Sequence, residues 1–132
     1  MIYMIQRNYG SYDGHRSPDL HKEIDTDYGY FADRDKAEEA VEELNRRTYQ
    51  GYAKSYAAEL EAAAKREEDY VLAVEQWKVL IDNGFKPPVP ALPSSAKLPE
   101  IQPFAEWLAG QDRWSDYTWY TIAEINQYNK EN

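Results

Sequence analysis

The sequence predicts an α+β protein: a three-stranded, mainly antiparallel sheet with strands at about 1–8, 21–31 and 117–126, a helix on one face, and a long helical insertion before the last strand. Three observations predict it. Apolar residues alternate with period two near both ends of the chain, which suits half-buried strands. The period changes to about 3.6 at 32–35 and stays helical for some fifty residues. A proline tract at 87–93 then separates the helical stretch from the final strand.

Along 1–8, Met1, Tyr3, Ile5 and Arg7 fall on one side and Ile2, Met4, Gln6 and Asn8 on the other, with strand formers on both. The following stretch, 9–20, holds Gly10, Ser11, Asp13, Gly14, Ser17, Pro18 and Asp19, turn residues without periodicity, and is expected to be a long loop. Alternation resumes through Ile24, Thr26, Tyr28 and Tyr30, giving the second strand.

Ala37, Ala40, Val41 and Leu44 share a helical face, and Asp33 stands where an N-cap carboxylate would accept from the free N–H groups of the first turn. Glu42 to Arg46 and Glu43 to Arg47 are i,i+4 pairs in the favourable order, each adding roughly 0.3 kcal/mol. A second seam, Tyr56, Leu60, Ala63, Tyr70, Val74, Trp77 and Ile81, with Glu67 its polar intruder, is one residue out of step with the first. The phase changes around Gly51, and glycine costs about 1 kcal/mol inside a helix. A single helix from 34 to 83 would extend roughly 75 Å. Two helices, about 34–49 and 52–83, are therefore expected, with one continuous helix as the alternative.

Asn83 and Gly84 form a stop, and 86–93 is an extended connector in which Pro87, Pro88, Pro90 and Pro93 fix φ and remove donors. Pro103 opens a short helix to Ala109, with Phe104, Trp107 and Leu108 on one face and Gly110 as its end. The last strand alternates Tyr117, Trp119, Thr121, Ala123 and Ile125 against Thr118, Tyr120, Ile122, Glu124 and Asn126. All 132 residues are expected to form one domain, with the insertion and connector at about 52–110.

The chain carries 15 Lys+Arg against 24 Asp+Glu, a formal charge of -9. Phosphate neutralisation needs clustered cations, so direct nucleic-acid binding is not expected. There is no cysteine, which removes disulfides, thiolate chemistry and Cys-based zinc sites. No apolar run is long enough for a signal peptide or a membrane span, and a cytoplasmic location, in the host cytoplasm for a phage-encoded protein, follows as the expectation.

Catalytic motifs do not emerge. His15 and His21 border the first loop with Asp13, Asp19, Asp25 and Asp27, but the spacing fits no metal motif: an EF-hand beginning at Asp25 would put Lys36 where the bidentate acid belongs. No serine lies in a nucleophile elbow, a Ser11–His15 pairing is generic, and no glycine-rich phosphate loop occurs. Neither catalytic residue, metal nor cofactor is assigned.

The 12 Tyr, 4 Trp and 3 Phe are more telling, since disordered acidic chains are poor in aromatics. Tyr9, Tyr12, Arg16, Arg113, Trp114, Trp119 and Tyr120 are the candidate aromatic and arginine residues for a partner or flat ligand, because Tyr, Trp and Arg anchor interfaces. Glu38, Glu39, Glu42 and Glu43 are the candidate acidic surface, a carboxylate pattern suited to a basic groove. The 56–81 seam suggests self-association through helix 52–83. The final strand is aromatic on both faces, so something besides one helix must cover it.

The run from Tyr28 to Leu44, with Gly29-Tyr30-Phe31-Ala32-Asp33 leading into a helix that carries Ala37, and the closing strand from Trp119 to Ile125 resemble a β-β-α-β arrangement of small bacteriophage and mobile-element accessory proteins. The likeness covers 1–8, 28–44 and 117–126. Such families include anti-CRISPR proteins, which bind and block host effectors, and are similar in character to sponges that sequester nucleotide signals. The resemblance implies a non-enzymatic inhibitor of a host defence protein. A nucleotide sponge is the alternative, and an intracellular structural or assembly protein a third.

Overall fold

In a computed structural model, which describes residues 1–14, 16–93 and 98–126, the chain is a mixed α+β protein. Its elements run β1 (Ile2–Ser11), β2 (Asp19–Ile24), a 3-10 turn (Thr26–Tyr28), β3 (Tyr30–Phe31), α1 (Arg34–Asp82), α2 (Phe104–Ala109) and β4 (Trp119–Ile125). β1 is central and every pairing is antiparallel. β4 pairs with it from Ile2 to Asn8, while β2 and β3 pair with successive lengths of it, from Gln6 to Ser11 and at Tyr3 and Met4. Because residues of β1 that meet β4 also meet β2 or β3, the latter two must share the opposite edge.

The chain divides into two compact units, Met1–Tyr52 with Gln102–Asn132, and Ala53–Ile101. The first holds the sheet. Ile5 is fully buried there, with Ala37 and Leu44 of α1 and Trp107 of α2.

Four boundaries differ from the sequence expectation. β1 continues to Ser11 and β2 begins at Asp19, so the expected loop at 9–20 contracts to the link between two paired strands. The second strand does not reach residue 31. Asp25 donates its N–H to Ile5 O at 2.8 Å and accepts the Asp27 N–H on its carboxylate at 3.1 Å, closing a local turn. Gly29 then takes φ 67°, a backbone conformation that side-chain-bearing residues avoid, and only Tyr30 and Phe31 return to the sheet. β4 begins at Trp119 and not at 117, because Asp112 accepts from Trp114 N at 2.8 Å and Asp112 and Ser115 bond each other, holding the preceding segment in turns.

The largest difference is α1, one helix where two were expected. Gly51 lies inside it in open space. The phase shift that suggested a break instead moves the aromatic side chains onto a different face. Tyr49 and Tyr52 dock on α2 in the first unit, and helix-forming residues from Ala53 onward offset the propensity cost of one glycine. Asp33 caps the helix as expected, accepting from Asp35 N at 2.9 Å. At its other end Gly84, with φ 85°, donates to Ile81 O while Phe85 donates to Leu80 O, the two bonds of a Schellman stop.

In the second unit the half-buried aromatic tips of the helix meet the chain's own return. Tyr56 Oη donates to Pro99 O at 2.7 Å and Trp77 Nε1 to Pro87 O at 3.4 Å. Between them lies a cleft of about 370 Å³ lined by Arg66, Tyr70, Ala73, Pro90 and Pro93 among others. The proline connector thus lies along part of the seam expected to mediate self-association.

Candidate functional site

Strand alternation sorts the sheet into two faces. Register places Arg7 and Tyr9 with Glu23 and His21 of β2 and with Tyr120, Ile122 and Glu124 of β4. The other face carries Asn8 and Gly10, with Leu20, Lys22, Ile24 and Tyr30 on the outer strands and Trp119, Thr121 and Ala123 on β4.

On the first face the residues form a polar ladder. Arg7 Nη2 donates to Glu23 Oε2 and Tyr9 Oη to Glu23 Oε1, both at 2.8 Å. The Tyr9 and His21 rings stack at 5.0 Å, and His21 Nε2 lies 3.0 Å from Ser11 Oγ. The bonds from Arg7 and then Tyr9 hold the Glu23 carboxyl below its ordinary range, and the Tyr9 phenol is raised by its bond to that carboxylate. Tyr120, beside Arg7, is raised chiefly by burial and then by the charges of Tyr28 and Asp25. A serine next to an imidazole is the start of nucleophilic chemistry. Here it is a diagonal contact between exposed strands, with a stacked tyrosine orienting the ring.

The second face is partly covered by the chain itself. Asn8 is buried and its Nδ2 reaches Trp119 O at 3.2 Å and Thr121 Oγ1 at 3.0 Å. At Gly10 the backbone of Arg113 lies directly on the sheet, so close that a β-carbon would fall 2.0 Å from its carbonyl oxygen. The segment after α2 therefore covers the Gly10 end of β1. It brings Trp114 to Tyr12, with ring centroids 6.5 Å apart and the two residues 62% and 63% exposed. Leu20, the register partner of Gly10, is exposed next to this pair, and Ile24 and Tyr30 are exposed further along the same face. Lys22, opposite Asn8, stands between Leu20 and Ile24, so the exposed apolar side chains are spaced along this face of the first unit.

Of the sequence candidates, Tyr12 and Trp114 come together, and Arg113 supports them through its backbone. Arg16 is engaged by Asp19 at 3.2 Å. Tyr9 lies on the polar face, while Trp119 and Tyr120 are half-buried on opposite faces of β4. Among the acidic candidates, Glu38 pairs with Arg34, Glu42 with Arg46 and Glu43 with Arg47, so three of the four glutamates share their charge with an arginine. Arg34 also bonds Glu124. Glu39 has no ion pair among the described residues, and the surface alternates in sign where a carboxylate block was expected. His15 lies outside the described residues.

Sequence reasoning missed Leu20, which it placed in the loop at 9–20, and Ile24 and Tyr30, since alternation alone does not distinguish an edge strand from a central one. Nor did it separate the aromatic cluster of the first unit, where Trp107, 2% exposed, is met by Tyr49 at 5.5 Å, Tyr52 at 6.0 Å, Tyr117 at 5.9 Å and Phe104 at 6.4 Å. Tyr49 Oη donates to Gln102 O at 2.5 Å and Tyr52 Oη accepts from Gln102 N at 3.2 Å, fixing where the chain returns. Arg46 lies over the Phe104 ring at 4.3 Å beside a hollow of about 300 Å³ that Tyr49 and Gln50 also line.

No group of His, Asp and Glu among the described residues is placed to hold a metal ion. No helix among them is long and apolar enough to cross a membrane. No protein-family model, curated protein or solved structure matches the chain.

Proposed function

We propose that this is a non-enzymatic binding protein of the phage-accessory type, which inhibits a host defence protein by occupying its surface. The carrying observation is the exposed Tyr12–Trp114 pair, with Leu20, Ile24 and Tyr30 exposed at intervals along the same face. Aromatic side chains of this size are the usual energetic anchors of interfaces. The ion-paired glutamates of α1 form a separate surface of mixed charge, tied at Arg34 to Glu124 of β4. The host-defence target rests on the resemblance to anti-defence proteins. The test is inhibition of a purified defence effector identified by affinity capture. A Tyr12→Ala/Trp114→Ala variant is expected to keep its thermal midpoint and to lose at least tenfold in inhibition; unchanged inhibition rejects the patch.

A nucleotide sponge is the second reading, favoured by the meeting of Arg46 with Phe104 and Tyr49 around one hollow. Arg46 also bonds Glu42, which lowers its value as a phosphate anchor. A ligand at that hollow should raise the melting temperature with saturating cyclic or ADP-ribose-type nucleotide, and a flat panel removes the reading.

A further inference from the structure

The two edges of the sheet are unlike. On β4, Tyr120 gives its N–H to Asn45 Oδ1 at 2.7 Å and takes a bond from Asn45 Nδ2 at 3.0 Å on its carbonyl. A buried side chain from α1 thus closes that edge at Tyr120. The same bonds fix the phase of the ladder. Tyr120 turns its backbone groups away from β1, so its register partner Arg7 is not bonded to it and turns toward β2, where it meets Glu23. Asp25 N bonding Ile5 O agrees with that phase. Glu23 and His21 therefore face β1, and Leu20, Lys22 and Ile24 direct their N–H and C=O groups outward. Among the described residues nothing pairs with them.

We infer that this edge of β2 takes an extended segment of the partner protein as an added strand, with an acidic residue opposite Lys22 and apolar residues opposite Leu20 and Ile24. The inference rests on the binding-protein reading above and supplies its mode. Main-chain bonds give such additions affinity, and alternate side chains give them selectivity. Leu20, Lys22 and Ile24 sit on the same face as Tyr30, with Leu20 opposite Gly10 at the end nearest the Tyr12–Trp114 pair, so the added strand runs toward those aromatics. A second copy of this chain is the wrong occupant. The antiparallel register that matches Leu20 with the copy's Ile24 sets Lys22 against Lys22 and Asp19 against Asp25. Like charges directly opposite in a sheet are destabilising, whereas an acid opposite Lys22 turns the same position into an attraction.

The probes are two synthetic peptides with cores Val-Thr-Glu-Thr-Val and Val-Thr-Lys-Thr-Val, followed by amide hydrogen exchange on the full chain. Excess acidic peptide is expected to slow exchange at Leu20, Lys22 and Ile24 at least threefold, and the basic peptide to bind at least fivefold more weakly. Lys22→Glu should reverse that preference. Lys22→Pro, which removes only an outward N–H, should abolish the slowing with the circular dichroism spectrum retained. Absence of slowing by either peptide at millimolar concentration overturns the inference, as does an unreversed preference in Lys22→Glu. Protection that appears with protein concentration alone assigns the edge to a second copy and also overturns it. If Lys22→Pro inhibits the target normally while Tyr12→Ala/Trp114→Ala does not, strand addition fails and the binding-protein reading survives.

Discussion

The carbonyl oxygen of Arg113 stands where a β-carbon on Gly10 would be, 2.0 Å from it, and that contact is backbone on both sides. Neither partner has a flexible end to move aside. Gly10→Ala is expected to cost about 2 kcal/mol, in the range of overpacking, and to loosen the segment carrying Trp114. Urea unfolding measures the cost, and quenching of Trp114 fluorescence reports the loosening. A midpoint unchanged by the substitution would contradict the close approach.

Gly51 is the opposite case. It is helical, exposed and surrounded by open space, so an added methyl meets nothing and removes backbone freedom from the unfolded chain. Gly51→Ala should raise stability by about 1 kcal/mol. If Gly51 were a required hinge, the same change would lower stability or alter the circular dichroism spectrum.

These two glycines mark what the sequence could and could not disclose. Composition at Gly51 suggested a break because local propensity is all that one dimension offers. The Tyr49, Tyr52, Phe104 and Trp107 contacts that hold the helix on either side of its return were invisible until residues 52 and 107 were neighbours. The centres of the first and last strands, the Asp33 cap, the Gly84 stop and the short helix after Pro103 were legible, since each depends on residues close in sequence. Register was not legible. It decides that Leu20 and Ile24 lie on an outer strand and that Trp119 and Tyr120 do not meet a ligand together. Tyr12 and Trp114 were named among the candidates for their chemistry, but their proximity depends on Gly10, a residue read only as part of a loop.

Asn45 is 1% exposed and satisfies both backbone groups of Tyr120. Alanine there would leave a buried N–H and C=O without partners, a loss of about 2 kcal/mol. Aspartate keeps the acceptor for the N–H and sets a negative oxygen against the carbonyl, so it should be worse than alanine. Thermal unfolding ranks the three proteins, and slowed amide exchange at Tyr120 in wild type alone confirms the cause.

Glu23 predicts a response to acid. Its carboxyl is depressed by the bonds from Arg7 and Tyr9, so the folded state prefers the ionised form. That contribution is fully present above the unfolded glutamate value of about 4.3 and is lost as pH falls through the lower folded value. Carbon-detected NMR titration should place Glu23 below the other glutamates. In Glu23→Gln the acid limb of the stability profile flattens, while the profile above pH 6 keeps its shape. An ordinary titration of Glu23 would remove the ladder as a pH-sensitive element.

Charge reversal is an ambiguous probe of the acidic candidates because of their arginine neighbours. Replacing Glu38, Glu42 and Glu43 with lysine sets each new cation against Arg34, Arg46 or Arg47 and turns helix-stabilising pairs into repulsive ones. A loss of binding could then follow from a frayed helix alone. Glutamine at 38, 39, 42 and 43 removes the carboxylates with only the modest loss of exposed pairs, and a fall of a few degrees at most in melting temperature is expected. If these glutamates lie outside an interface centred on Tyr12 and Trp114, the glutamine variant retains inhibition within threefold and changes mainly its salt dependence. A loss of tenfold or more, with the melting temperature preserved, would move the centre of the interface from the aromatic patch to α1.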